Sequence, residues 1–232
     1  MTRQLPLALR PSPDQRFETF VGAPAGALAQ LQALAAGSGD WLYLDGGPGT
    51  GKTHLALAAC AAAQAQGRRA AYLPLAAAVG RLDEALQSLE GLDLVALDGL
   101  EAIAGNGDDE LALFDFHNRV RSAGGCVVYA ATAAPATLPL GLADLRSRLA
   151  QCTRIALQLL DDAGRAEVLR LRAHRRGLQF DEAAISWLLR RAGRDLAGLA
   201  AQLDALDRAS LAAQRRVTVP FLREVLGLGS GG

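Results

Sequence analysis

Residues 46–53, GGPGTGKT, stand between a short apolar run, Trp41–Asp45, and an Ala-rich stretch, Thr53–Gln66, that Gly67 stops. The run has the length of a buried strand, and the stretch that of a helix. A glycine-rich turn leading from a strand into a helix presents backbone N–H groups and the positive end of the helix dipole to an anion. The spacing G-x-x-x-x-G-K-[ST] is complete here, in the strand-to-helix context the pattern requires. In such a loop Gly47, Gly49 and Gly51 let the backbone approach phosphate oxygens, Lys52 reaches the terminal phosphates, and the Thr53 hydroxyl can hold Mg2+.

Lys52 is also the single lysine of the 232 residues, against 23 arginines. A coding bias toward Ala, Gly and Arg empties positions that accept either cation. A lysine kept in such a chain marks a position that needs a compact ammonium on a flexible stem rather than a planar fork.

Outward from the loop, Ala70–Leu75, Leu92–Asp98, Cys126–Thr132 and Arg154–Leu160 are further strand-like apolar runs. Helical stretches separate them, around Ala77–Leu89, from an Asp108 cap to Ala123, and around Leu142–Ala150. Strands alternating with helices predict an α/β base over residues 17–160, its parallel five-stranded sheet covered on both faces. After Leu160 the pattern is helical: Asp161 and Asp162 form an N-cap pair ahead of Glu167–His174, and Asp181 caps Ala183–Arg191. Leu196–Ala213 follows at helical spacing, with a short helix near Phe221–Leu226. Residues 161–228 are thus expected to form a small all-helical lid, 229–232 a disordered end, and 1–16, with three prolines and no period, an extended tail.

Composition narrows the class. A chain 50% hydrophobic and 21% charged is too apolar for disorder. The 24 basic and 24 acidic residues cancel, and no part carries the basic excess of a nucleic-acid footprint. Cys60, Cys126 and Cys152 are widely spaced in apolar surroundings and read as buried free thiols of a reducing compartment. The N-terminus lacks the pattern of a signal peptide, and Leu55–Ala65 is too short to span a bilayer, so the expected location is the cytoplasm.

Asp98 closes an apolar run and supplies the carboxylate that such sites place at the end of a neighbouring strand to hold the metal through water. Gly99 stands where many ATPases of this kind carry a second acid to polarise the attacking water, and Glu101 is out of step by two residues. The residues predict nucleotide binding and leave hydrolysis by the chain itself open.

FETFVGAP at 17–24, GPGTGKTH at 47–54, LVALDGLEAIAG at 94–105 and AATAAP at 130–135 resemble the AAA+ ATPase module of the DnaA-related family. LRSRL at 145–149, GRDLAGL at 193–199 and LDALDRASLAAQRRVTVPFLREVL at 203–226 extend the resemblance over nearly the whole chain, most closely to the short Hda-type members. It implies ADP or ATP with Mg2+ as cofactors. Phe20 and Val21 would lie in the segment lining the adenine pocket, with Pro48, Thr50 and His54 among the loop contacts. Thr132 corresponds to sensor 1, a polar side chain at the γ-phosphate, and Arg194 to sensor 2, projecting from the lid, with Arg190 and Arg191 as competing candidates. Arg148 matches the arginine finger that reaches a neighbouring subunit's nucleotide, and Arg146 is the competing reading.

Near the start, QLPLAL matches the Q-L-x-L-x-[LF] pattern with which proteins plug into the replicase's sliding clamp, through Gln4, Leu5, Leu7 and Leu9. The initiator carries a helix-turn-helix domain after its lid, whereas six residues follow Leu226 here. The resemblance therefore implies an adaptor whose partners are DnaA and the DNA polymerase III sliding clamp, without specific DNA binding or membrane contact, and with homo-oligomer formation open. Two other classes compete: an independent AAA+ ATPase such as a DnaC-type helicase loader, and a DNA-binding initiator fragment.

Overall fold

A computed structural model describes residues 15–175, 177–191 and 217–225. The expected helix Leu196–Ala213, Arg194, the clamp-like segment Gln4–Leu9 and residues 229–232 lie outside the described residues. The chain divides into two compact units, one ending at Leu159 and the other beginning at Leu160.

The first unit is built on a five-stranded, wholly parallel sheet. Its strands are β1 (Leu42–Asp45), β2 (Ala70–Pro74), β3 (Leu94–Asp98), β4 (Cys126–Ala131) and β5 (Thr153–Ala156), in the order β2-β3-β4-β1-β5. Because side chains alternate along a strand, the sheet has two apolar faces. Leu42, Leu44, Leu94, Ala96, Val128 and Ala130 face one core, shared with α1 (Ala27–Ala35) and α2 (Lys52–Ala65). Tyr43, Val95, Leu97, Val127 and Tyr129 face the other, shared with α3 (Leu82–Gln87), α4 (Gly107–Ser122) and α5 (Ala143–Ala150). The alanines of α2 let it lie close on the sheet: Ala56, Ala58, Ala59 and Ala63 are all at most 1% exposed.

Several boundaries differ from the expected ones, each for a tertiary reason. The stretch at Ala77–Leu89 is helical only over Leu82–Gln87. Gly80 sits in the left-handed region at φ +76, and the Asp109 carboxylate takes both the Gly80 and Leu82 N–H groups, at 2.7 and 3.2 Å. The cap of α4 is Asn106, whose side chain accepts from the Asp109 N–H, so Asp108 lies inside the first turn instead of capping it. β5 stops at Ala156 rather than Leu160, because its neighbour β1 ends at Asp45 and the chain turns away into the loop at Gly46. Helix α1, which the pattern did not single out, buries Leu31 and Leu34 completely.

The second unit holds α6 (Asp162–Arg175), α7 (Glu182–Arg191) and a last helix, Val219–Val225, around Leu169, Ile185, Trp187, Leu188, Phe221 and Leu222. Asp161 caps through Gly164 N–H at 2.8 Å, while Asp162 begins the helix and pairs with Arg165. Asp181 caps α7 through Ala184 N–H at 2.6 Å. Arg170 grips Glu182 through two N–H donors, at 3.2 and 2.8 Å, fastening α6 to α7.

Candidate functional site

The loop at Gly46–Gly51 leaves β1 at its C-terminal end, where β3 and β4 also terminate. Ligands of parallel α/β sheets bind at that edge. Gly46 N–H donates to Ala131 O at 3.3 Å and Gly99 N–H to Ala130 O at 2.9 Å, so the ends of β1 and β3 are both laced to β4. The loop has no room for side chains at two of its glycines. A Cβ at Gly46 would meet Leu157 O at 2.5 Å, and one at Gly51, where φ is +95, would meet the Phe20 ring at 2.5 Å. Glycine is required there by both space and dihedral.

Lys52 is 8% exposed, and its ammonium donates to the Gly46 and Gly47 carbonyls at 2.6 and 2.9 Å. Burial lowers its pKa, against the opposing pull of Glu101, Asp98 and Asp45. A cation ringed by carboxylates and held on loop carbonyls has donors to give to a phosphate. Thr50 ties the loop by donating to Gly47 O at 2.9 Å.

Thr53 donates to Asp98 Oδ2 at 2.6 Å, so the two oxygen ligands read from the sequence for Mg2+ lie together. Hard oxygen donors of this kind suit a small divalent cation that keeps waters and takes the rest of its shell from phosphate. The donor set and the glycine cradle fit a nucleotide with Mg2+. Among the described residues no cluster of three or more His, Cys, Asp or Glu side chains offers a separate metal site.

The front segment reaches the same place. Phe20 meets the His54 ring edge-on at 5.3 Å between centroids, and His54 Nε2 lies 2.8 Å from Arg16 O and 3.3 Å from Thr19 Oγ1. Phe20 and His54 are thus brought to the loop, with Val21 adjoining Phe20 in the chain. Thr132, one residue past β4, is exposed, and its N–H donates to Glu101 Oε2 at 3.0 Å.

Arg148 lies in the last turn of α5 and is half-buried; its charge is felt at His117. It makes no ion pair among the described residues. Arg146, the competing candidate, stands close enough to Glu110 to help depress its pKa. Glu110 is 1% exposed and accepts N–H groups of Gly105, Gly141 and Leu142 at 2.7, 3.0 and 2.6 Å. It therefore does for the start of α5 what that helix's own N-terminal residues do not, since no side chain of its own caps it.

Two participants were not singled out from the sequence. Tyr72 on β2 donates to Asp98 Oδ2 at 2.8 Å, the oxygen that Thr53 also reaches. A tyrosine on a buried strand needs a partner for its hydroxyl, which was the available signal; which partner depended on strand order. Asp45, 6% exposed at the end of β1, is gripped by Arg154 Nε and Nη2 at 2.6 and 2.8 Å, a bidentate pair that neutralises the acid beneath the loop.

Residues 162–226 match the model of the family described as "Hda, lid domain". An uncharacterised protein of Haemophilus influenzae is 36% identical over 233 residues, covering 98% of this chain and 100% of its own length. The structure of domain III of the Thermotoga maritima replication initiation protein DnaA superposes with a TM-score of 0.77, over 98% of this chain and 100% of that one, at 20% identity. The chain belongs to the Hda-like, DnaA-related AAA+ family. AMPPCP-bound DnaA from Aquifex aeolicus shares the fold at a TM-score of 0.68 and 22% identity, over 83% of this chain and 65% of that one. The AAA+ fold accounts for the strand order of the first unit and for the position of Lys52, Thr53 and Asp98 at one sheet edge. No described helix is long and apolar enough to cross a membrane.

Proposed function

We propose that this Hda-like protein is a nucleotide-bound adaptor which, tethered to the sliding clamp of DNA polymerase III, stimulates ATP hydrolysis by DnaA and so restrains initiation of DNA replication. ADP or ATP is held by Gly47, Pro48, Gly49, Thr50, Gly51, Lys52, Thr53 and His54, with Phe20 and Val21 at the adenine, Thr132 at the terminal phosphate and Arg194 as the sensor 2 arginine. Thr53 and Asp98 would hold Mg2+, which when bound would neutralise charge on the nucleotide's phosphates. The protein acts in the cytoplasm and reaches DNA through the clamp, which Gln4, Leu5, Leu7 and Leu9 engage.

One observation carries the trans-acting part. On α5 neither Arg146 nor Arg148 has an ion pair among the described residues, but Arg146 lies within the field of Glu110, whereas Arg148, in the last turn, has no carboxylate of its own. A guanidinium held on a packed helix without a carboxylate keeps its fork for phosphate. Presented to a triphosphate in another subunit, such an arginine is worth roughly 10³ to 10⁵ in rate.

The deciding experiment measures ATP turnover by DnaA with this protein and DNA-loaded clamp. Arg148→Ala is expected to return turnover to that of DnaA alone while nucleotide and clamp binding persist, and Arg146→Ala to retain stimulation. Stimulation undiminished by Arg148→Ala would overturn the assignment. Stimulation indifferent to the clamp would remove the N-terminal segment from the mechanism.

A further inference from the structure

The second acid that is missing at Gly99 has a spatial replacement. β3 ends at Asp98, Gly99 takes a left-handed conformation at φ +85, and a 3-10 turn over Leu100–Ala102 follows. That turn brings Glu101 back to the sheet edge, where its Oε2 accepts the Thr132 N–H at 3.0 Å. Because Asp98 and Ala130 are in register, the carboxylate stands across the ends of β3 and β4, beside the loop that holds Lys52. The other acids at this edge are already engaged: Asp98 by Thr53 and Tyr72, Asp45 by Arg154. Among the described residues Glu101 Oε1 accepts no hydrogen bond, and the side chain is exposed. Of the charges acting on Lys52, that of Glu101 is the largest, so the two groups share one neighbourhood.

We infer that Glu101 is the general base of an intrinsic ATP hydrolysis by this chain, positioned by the Thr132 amide rather than by strand β3. The inference rests on the reading of the loop as an ATP site. Water attacks the γ-phosphorus and its proton passes to Glu101 Oε1. The bond from that phosphorus to the β,γ-bridging oxygen breaks, ADP and inorganic phosphate leave, and Glu101 returns the proton to solvent. The chain would thereby set its own nucleotide state. Anchoring Oε2 on a backbone amide fixes the carboxylate while leaving Oε1 to act, the division of labour a positioned base needs.

The test uses the full chain in excess over ATP with Mg2+, following phosphate release in a single turnover, and in parallel the affinities for ATP and ADP by fluorescent-nucleotide displacement. Glu101→Gln keeps an oxygen for the Thr132 N–H and removes the base. Hydrolysis should fall about 100-fold or more. Removing the carboxylate's charge beside the γ-phosphate should also raise the ratio of ATP to ADP affinity about threefold or more, a binding change that a purely structural glutamate would not produce. Glu101→Asp, shorter by one methylene, should hydrolyse at a rate between the two. ATP binding without hydrolysis by the parent chain, or parental rates in Glu101→Gln, would overturn the inference and leave the nucleotide site standing. Failure to bind ATP at all would overturn both.

Discussion

Tyr72 and Thr53 donate to the same oxygen, Oδ2 of Asp98, at 2.8 and 2.6 Å. The two hydroxyls come from β2 and from the first turn of α2, so the acid is oriented before any ligand arrives. Outer-shell donors of this kind commonly change metal affinity by 10- to 100-fold.

Tyr72→Phe removes one of those donors with little change in shape. The Mg2+ concentration needed for half-maximal tight nucleotide binding should rise about 10-fold, while Mg2+-independent nucleotide affinity changes little. A Mg2+ titration of fluorescent-nucleotide binding reads both. An unchanged Mg2+ requirement would leave Tyr72 as a packing residue only.

Glu110 caps α5 from a neighbouring helix, and α5 carries Arg148. Burial works to raise its pKa, but the N–H donors of Leu142, Gly105 and Gly141, with Arg146, outweigh it and the net direction is down. A depressed folded-state pKa contributes stability that is present above the ordinary glutamate value and is lost as pH falls through the folded one. Glu110→Ala should therefore cost about 2 to 3 kcal/mol at pH 7, since it strands buried N–H groups. The gap from the parent should narrow as pH falls below the ordinary glutamate range, where the parent's carboxylate in turn takes up its proton. Urea unfolding across that range measures it.

His117 is fully buried, with Nδ1 2.9 Å from Tyr129 Oη and its ring edge-on to Trp41. Burial, then the charges of Arg121 and Arg148, push its pKa down to about 4. Above about pH 6.5 the imidazole is neutral in both folded and unfolded chains and makes no pH-dependent contribution. Below that, the unfolded chain takes up a proton that the folded chain refuses, so stability falls between about pH 6.5 and 4, by about 3 kcal/mol at most. His117→Phe should flatten this part of the stability curve while losing the bond to Tyr129. Chemical unfolding midpoints at pH 7, 6 and 5 decide it: equal slopes for parent and variant would show that the histidine does not titrate this way.

The legible part of the site was the part with fixed local spacing. Lys52 and Thr53 are neighbours on the first turn of α2, and a one-lysine composition pointed to the first of them. Asp98 was legible because a carboxylate closing an apolar run stands at a strand end. Glu101 was visible but out of step, since a linear count cannot follow the left-handed turn at Gly99. Asp108 does not cap α4 because Asn106, two residues earlier, accepts the Asp109 N–H, while the Asp109 carboxylate is taken by Gly80 and Leu82. Tyr72 and the Asp45–Arg154 pair were invisible for a related reason, as their partners lie 26 and 109 residues away along the chain.

By itself, the sequence determined the phosphate loop, the alternation of strands and helices and the change to helices after Leu160, because each is written in short-range spacing and hydrophobic period. Tertiary structure alone decided which acids are engaged and by what partners. The order β2-β3-β4-β1-β5 sets β3 between β2 and β4, which gives Asp98 its tyrosine and Glu101 its backbone anchor. A carboxylate's chemistry depends on the donors and charges within a few ångströms of it. Those neighbours come from strands that the chain joins only after long excursions.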